Sequence, residues 1–284
     1  MEYASKYITA NGLTHHFLEW GDAGKPPVIM MHATGLASHS WFPIAEGLAA
    51  NYRVMALDQR GHGDTGPSNC GYSFELVGQD LAAVIRALEL PRVRVVGHSS
   101  GGLATLIAAH LLPGRITQAC LVETRVGERP ANAPPGELHD RARRTRRKRA
   151  VWESHEAMLC AYRQRAAFRD WDLRSFQAFM NGGVRLLSDG RAELKCHPDV
   201  EAQFYEMRES LRVAPFFQGL SGRFLLLLGN YPEAQTLSDT GVQRFLNEID
   251  GAAVKPMGMG SHFLPMEHPK EVLREIKAFF DSEA

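Results

Sequence analysis

Ser99 stands in Gly97-His98-Ser99-Ser100-Gly101, and the residue types around it are those that a serine nucleophile needs. The β-branched apolar run Val93-Arg-Val-Val96 enters this pentapeptide, and the helix-forming run Leu103-Ala-Thr-Leu-Ile-Ala-Ala109 leaves it. The order is strand, sharp turn, helix. A Ser at such a turn is held in strained backbone geometry, and only small residues two positions to either side let strand and helix approach closely enough. Gly97 and Gly101 supply them. The hydroxyl is thereby raised above the sheet edge, where the first N–H groups and the positive dipole end of the following helix can receive an oxyanion. G-x-S-x-G recurs by chance in many chains, so its place between a strand and a helix is what points to chemistry. Near the other end of the chain, His262 follows a short strand and the glycine-rich loop Gly258-Met-Gly-Ser261, which brings an imidazole to the same sheet edge.

Holding these two residues together requires a sheet, and the chain reads as one. Asn11-Gly12 joins Lys6–Ala10 to Thr14–Trp20 as a hairpin, since both residues tolerate the left-handed positions of a two-residue turn. Val28–Met31 is apolar on consecutive positions, as a strand covered on both faces must be. Tyr52–Leu57, the strand carrying Ser99 and Ile116–Val122 repeat the pattern, with helices expected at about Ser40–Ala50 and Ser73–Glu89. Ser73 is placed to cap the second of these. This alternation predicts an α/β fold with a doubly wound, mostly parallel sheet. It breaks near Thr124, where Pro130, Pro134 and Pro135 open an insertion that reads as all-helical. Amphipathic stretches lie around Ser154–Arg165, Asp172–Gly182 and Val200–Arg212. Strand-helix rhythm resumes at Phe224–Leu228, with a helix near Asp239–Ile249, a strand at Ala252–Pro256 and a last helix from Pro269 to Phe280. The expected organisation is a core of residues 1–123 and 216–284, with residues 124–215 as a helical cap over the strand ends, where open α/β sheets bind ligands.

Composition narrows the partners. The 284 residues carry 32 Lys and Arg against 32 Asp and Glu, so no global field points to nucleic acid or an acidic membrane. Cys70, Cys120, Cys160 and Cys196 form no C-x-x-C pair and read as thiols of a reducing compartment. The first residues lack a basic and then apolar leader, and no apolar run approaches the roughly 18 residues of a membrane span. A cytoplasmic location is expected, with a small-molecule partner, no nucleic acid and no membrane; a homodimer is admitted. The basic run Arg141–Arg149 reads as one solvated cap helix whose charges neighbouring acids offset, although an inward-facing arginine there could select a carboxylate. Trp152, Trp171, Phe176, Phe179, Phe216 and Phe217 are assigned to packing the cap. His15-His16 is a strand pair with side chains on opposite faces, so no metal cluster is expected, and the lack of a G-x-G-x-x-G loop leaves no cofactor implied.

Four segments in order, His32-Ala-Thr-Gly35, Asp58-Gln-Arg-Gly-His-Gly63, Gly97-His-Ser-Ser-Gly101 and Gly260-Ser-His-Phe263 leading to Glu267-His-Pro269, resemble the α/β-hydrolase superfamily over nearly the whole chain. The resemblance implies an eight-stranded sheet, Ser99 as nucleophile and His262 as general base. It also implies an oxyanion hole from the backbone N–H groups of Ser100 and Thr34. His32, Asp58, Arg60 and His62 would brace the surrounding loops. The acid is where the sequence departs from the family. Most members place an Asp just beyond the Gly ending the penultimate strand, but Gly229-Asn-Tyr-Pro-Glu-Ala-Gln-Thr-Leu-Ser238 has none before Asp239. Glu233 is the carboxylate there, reached only with an insertion. Glu123, at the end of the strand after the nucleophile helix, occupies the position used by certain haloalkane dehalogenases and zearalenone-type lactone hydrolases. It is preferred because it fits without one. The implied activity is cleavage of a carboxylic ester or lactone through an acyl-enzyme. Hydrolysis of a C–C bond in a diketone-like product and a ligand-binding protein without catalysis are the alternatives. Dehalogenase and epoxide hydrolase chemistry would need a carboxylate where Ser99 stands.

Overall fold

The computed structural model describes residues 2–127, 136–208 and 210–282, without the side chains of residues 233 and 234. The elements run β1 (Ala4–Ala10), β2 (Leu13–Trp20), β3 (Pro27–Met31), a 3-10 turn at Ser38–Trp41 leading into α1 (Phe42–Leu48), β4 (Arg53–Leu57), α2 (Phe74–Ala87), β5 (Val93–His98), α3 (Ser100–Leu111) and β6 (Ile116–Val122). The inserted segment holds α4 (Glu137–Arg146), β7 (Val151–Trp152), α5 (His155–Arg163), α6 (Ala166–Arg169), α7 (Leu173–Gly182), β8 (Val184–Leu186), β9 (Ala192–Leu194) and α8 (Pro198–Met207). A second 3-10 turn at Ala214–Phe217 precedes β10 (Arg223–Leu228), α9 (Glu233–Ser238), α10 (Thr240–Glu248), β11 (Ala252–Pro256), α11 (Leu264–Glu267) and α12 (Pro269–Asp281).

Eight strands form one sheet in the order β1-β2-β4-β3-β5-β6-β10-β11. Only β1 with β2 and β2 with β4 pair antiparallel. Asn11 and Gly12 turn the first hairpin with φ of 49° and 73°, the left-handed pair that its geometry demands. Successive residues of β3 face opposite layers. Ile29 and Met31 join a core with α2, α3 and α10, while Val28 and Met30 join a second with α1 and α12. Ser73 caps α2 by accepting the Leu76 N–H at 3.2 Å. Helix α3, apolar nearly all round, is wedged between layers, with residues 100–109 all buried.

The insertion differs from the sequence expectation in one respect: it is not all-helical. Strands β7, β9 and β8 form a small antiparallel sheet. The β8–β9 hairpin turns at Gly190, with φ of 86° and an Arg191 carbonyl accepting from Leu187 N at 2.8 Å. Strands of two or three residues are too short to display a period-two pattern. The insertion's opening prolines, Pro130, Pro134 and Pro135, lie outside the described residues. Phe217 also departs from its assignment to the cap. It lies in the main core against Phe245, and Phe216 meets His110 of α3. In the other direction, Phe204 of α8 is buried in that same core beside Phe74, keying the end of the insertion to the sheet layer.

Candidate active site

Ser99 links the last residue of β5 to the first of α3 with φ of 52° and ψ of −111°, a conformation that L-residues rarely adopt. Its N–H donates to the Val122 carbonyl at 2.9 Å, and its own carbonyl accepts from Gly102 N at 3.0 Å. The flanking glycines are a steric necessity. A Cβ on Gly97 would lie 2.6 Å from the Gly101 carbonyl oxygen, and one on Gly101 would lie 2.2 Å from that of Met31. Strand and helix can meet this closely only without side chains between them.

Glu123 leaves the neighbouring strand in the same manner. It is the first residue past β6, has φ of 51°, and donates its N–H to the Leu227 carbonyl of β10 at 2.8 Å. Because His98 pairs with Val122 in register, Ser99 and Glu123 emerge side by side. The loop after β11 brings His262 over both. The Ser99 hydroxyl lies 3.0 Å from His262 Nε2, and His262 Nδ1 lies 3.6 Å from Glu123 Oε2. The second distance is too long for a direct hydrogen bond. The Glu123 side chain is 2% exposed and that of His262 45%. A carboxylate so deeply buried needs donors. Glu123 has two: the Gly229 N–H, which donates to Oε1, and the Tyr231 hydroxyl, which donates to Oε2 at 3.2 Å. Glu233 opens α9, and its side chain lies outside the described residues. Asp239 caps α10, accepting from Gly241 N and Val242 N at 2.8 and 3.1 Å.

The His262 loop is tied down from two sides. The buried imidazole of His98, whose pKa burial and the neighbouring His262 depress to about 3, stays neutral and sits 2.7 Å from the His262 carbonyl through Nε2. Its Nε2–H is therefore the donor. Ser261 donates its hydroxyl and N–H to Glu267 at 2.6 and 2.5 Å. Neither His98 nor Tyr231 carries a sequence signal as a site residue, since one is a His inside a strand and the other a Tyr in an irregular loop.

On the opposite side of Ser99, Thr34 and Gly35 form the centre of a turn closed by Leu36 N to the Ala33 carbonyl at 3.0 Å, with Gly35 at φ 80°. Gly35 N–H donates to His62 Nε2 at 2.9 Å, and burial depresses the His62 pKa to about 3, keeping that nitrogen an acceptor. The Glu201 carboxylate of α8 lies directly over Gly35, where a Cβ would come within 2.9 Å of its carbon. Ser100, as the first residue of α3, has an N–H for which the helix provides no acceptor. The bracing residues are tightly bonded. Arg60 grips Asp80 with two bonds of 2.7 Å, and Asp58 receives Ser38 N and His16 Nδ1, each at 2.6 Å. Although burial alone would raise it, the Asp58 pKa is held well below the usual carboxylate range by these donors and by His32.

The inserted segment closes over these loops with an aromatic cluster. Phe176, Phe179, Trp171 and Met158 pack with Ala33 and Leu36 of the turn around Thr34 and with Met266 beyond His262. Phe263, next to His262, meets the rings of Trp171 and Phe168 at 5.3 and 6.3 Å. The basic run is partly helical: α4 ends at Arg146, and the remainder turns toward β7. Several of its charges are paired, Arg146 with Glu206 at 2.6 Å, Lys148 with Glu201 at 2.5 Å and Arg149 with Glu153 at 2.7 Å. Among the described residues, His16, Asp58 and Asp64 bring ligand-type atoms within 4.8 Å of one another. Those atoms are already bonded, Asp58 to His16 and Asp64 to Lys195 at 2.6 Å. Among the described residues no helix is long and apolar enough to cross a membrane.

Residues 28–275 match the model of the alpha/beta hydrolase family, which is most of the chain. The chain belongs to that family. The fold is also that of E-2-(acetamidomethylene)succinate hydrolase, at a TM-score of 0.83 and 19% identity over 99% of this chain and 100% of that one. The enol-lactonase from Burkholderia xenovorans LB400 superposes at 0.74, with 20% identity, 98% of this alpha/beta hydrolase and 100% of that chain. Sequence relatives include the non-heme chloroperoxidase of Streptomyces lividans, 33% identical over 116 residues, or 40% of this chain and 42% of that protein. The non-heme haloperoxidase of Rhodococcus erythropolis is 36% identical over 124 residues, 41% of this chain and 43% of that one. The matched region thus spans about two fifths of the curated relatives' length.

Proposed function

We propose that this alpha/beta hydrolase is a serine hydrolase that cleaves a carboxylic ester or lactone through an acyl-enzyme, with Ser99 as nucleophile, His262 as general base and Glu123 as the acid behind it. The observation that carries the reading is the alignment of Ser99 Oγ, 3.0 Å from His262 Nε2, with Glu123 Oε2 on the far side of the same ring at 3.6 Å. Ser99 Oγ attacks the acyl carbon while Nε2 takes its proton. The tetrahedral oxyanion is met by the N–H groups of Ser100 and Thr34, and collapse expels the alkoxide, which takes the proton back from His262. Water then attacks the acyl-enzyme, giving its proton to His262, and the acid product leaves as the proton returns to Ser99. Glu123 remains ionised, holding the Nδ1–H tautomer and stabilising the imidazolium. The names of the enol-lactonase and of the succinate hydrolase above agree with small acyl substrates of this kind. That Cys70, Cys120, Cys160 and Cys196 are free of disulfides agrees with a cytoplasmic location. Residues 124–215, as a cap, would shield the acyl-enzyme.

A panel of esters and lactones of varied acyl and alkyl size, with a C–C-cleavable diketone as a separate arm, tests the reading. Hydrolysis of at least one ester or lactone is expected, with loss of about 10⁴-fold or more in Ser99→Ala. Turnover confined to the diketone, or undiminished ester cleavage by Ser99→Ala, would overturn it.

A further inference from the structure

The loop after β10, where most of the family places its acid, here supplies donors instead. Gly229 N–H and the Tyr231 hydroxyl both point at Glu123, one to each carboxylate oxygen. Oε2 is shared: the phenol lies 3.2 Å from it and His262 Nδ1 3.6 Å. We propose that Tyr231 is a positioning residue for the reaction, acting through Glu123 by competing with the His262 imidazole for Oε2 and so setting how firmly the carboxylate holds the imidazolium. This rests on the assignment of Glu123 as the triad acid.

The chemistry is one-directional. A carboxylate oxygen that accepts a hydrogen bond has part of its charge engaged and is a weaker partner for a cation on its other side. Burial and the adjacent Glu123 charge push the Tyr231 pKa up to about 12, so the phenol remains a donor throughout the working range. Tyr231 is 44% exposed, so its hydroxyl can be removed without opening a buried cavity. Other groups face this cluster. His98 reaches the His262 carbonyl from β5, Glu267 holds Ser261 from α11, and the Arg125 charge acts on the phenol from the segment after β6. His268 packs near Gly260 in the same loop. Of these ionisable groups only Tyr231 shares an oxygen of Glu123 with the imidazole.

Tyr231→Phe in the full-length protein tests the proposal. Freeing Oε2 strengthens its hold on the imidazolium, so the acid limb of the kcat/KM profile is expected to move up by roughly 0.3–0.5 pH units, with the plateau within about threefold of wild type. The NMR titration midpoint of His262 should rise by a similar amount with no substrate present, and the rise should vanish in a Glu123→Gln background. An unmoved midpoint and limb would overturn the proposal. So would a plateau loss beyond about tenfold with the limb in place, which would put the phenol on the reacting atoms. The substrate-free titration decides this even if Ser99→Ala retains activity, a result that would count against the hydrolase reading alone.

Discussion

The two sides of the site are held by different physics. On the nucleophile side, backbone alone fixes Ser99: a left-handed residue between β5 and α3, glycines packed to where no Cβ fits, and hydrogen bonds from main chain to main chain. On the base side, side chains do the holding. His98 reaches the His262 carbonyl, Glu267 takes Ser261, and Glu123 collects Gly229 N–H and the Tyr231 hydroxyl from a third strand's loop. The Ser99 turn is therefore fixed by its backbone, while the His262 loop is held through side chains and its imidazole is half exposed.

The largest effect that would break this comparison lies at the acid. Glu123→Gln keeps the shape but removes the charge behind His262, and kcat should fall by about 10²–10⁴-fold, as loss of a triad carboxylate does elsewhere. Glu233→Gln should stay within about twofold. The reverse order, measured on the same substrate, would move the acid to the β10 loop and leave Glu123 as a structural anchor.

A smaller effect concerns the neutral histidines that brace both sides. His98 and His62 are both buried, with pKa values depressed to about 3. The unfolded chain would protonate them near the ordinary imidazole pKa of about 6.5. Each group thus binds fewer protons folded than unfolded, so its contribution is present above the unfolded pKa and is lost as pH falls toward the folded value. Between about pH 5.5 and 4 these two groups should lower the unfolding free energy by up to about 2.7 kcal/mol per pH unit, the slope of two protons. Urea titrations across that range check it. A slope near one proton would mean that one of the two already carries charge in the native state.

How much was legible in the sequence follows the same division. The elbow could be read because its requirement is local: Gly, two positions, Ser, two positions, Gly, between a strand and a helix. The hairpin at Asn11-Gly12, the Ser73 cap and the parallel strands were legible for the same reason. Glu123 was harder, since its placement beside His262 depends on β6 lying between β5 and β10 and on donors 106 and 108 positions away. Tyr231 and His98 act through distances set by tertiary packing, which leave no periodic trace. The β8–β9 hairpin was hidden by its brevity, and Phe217 by a composition that suits either layer.

Labelling with a fluorophosphonate, read by intact mass and peptide mapping, tests most directly whether the fold activates its elbow serine. The expected result is a single adduct on Ser99, absent in Ser99→Ala and slowed at least about 10²-fold in His262→Ala. No adduct on the folded wild-type protein, or an adduct elsewhere with Ser99 untouched, would contradict it.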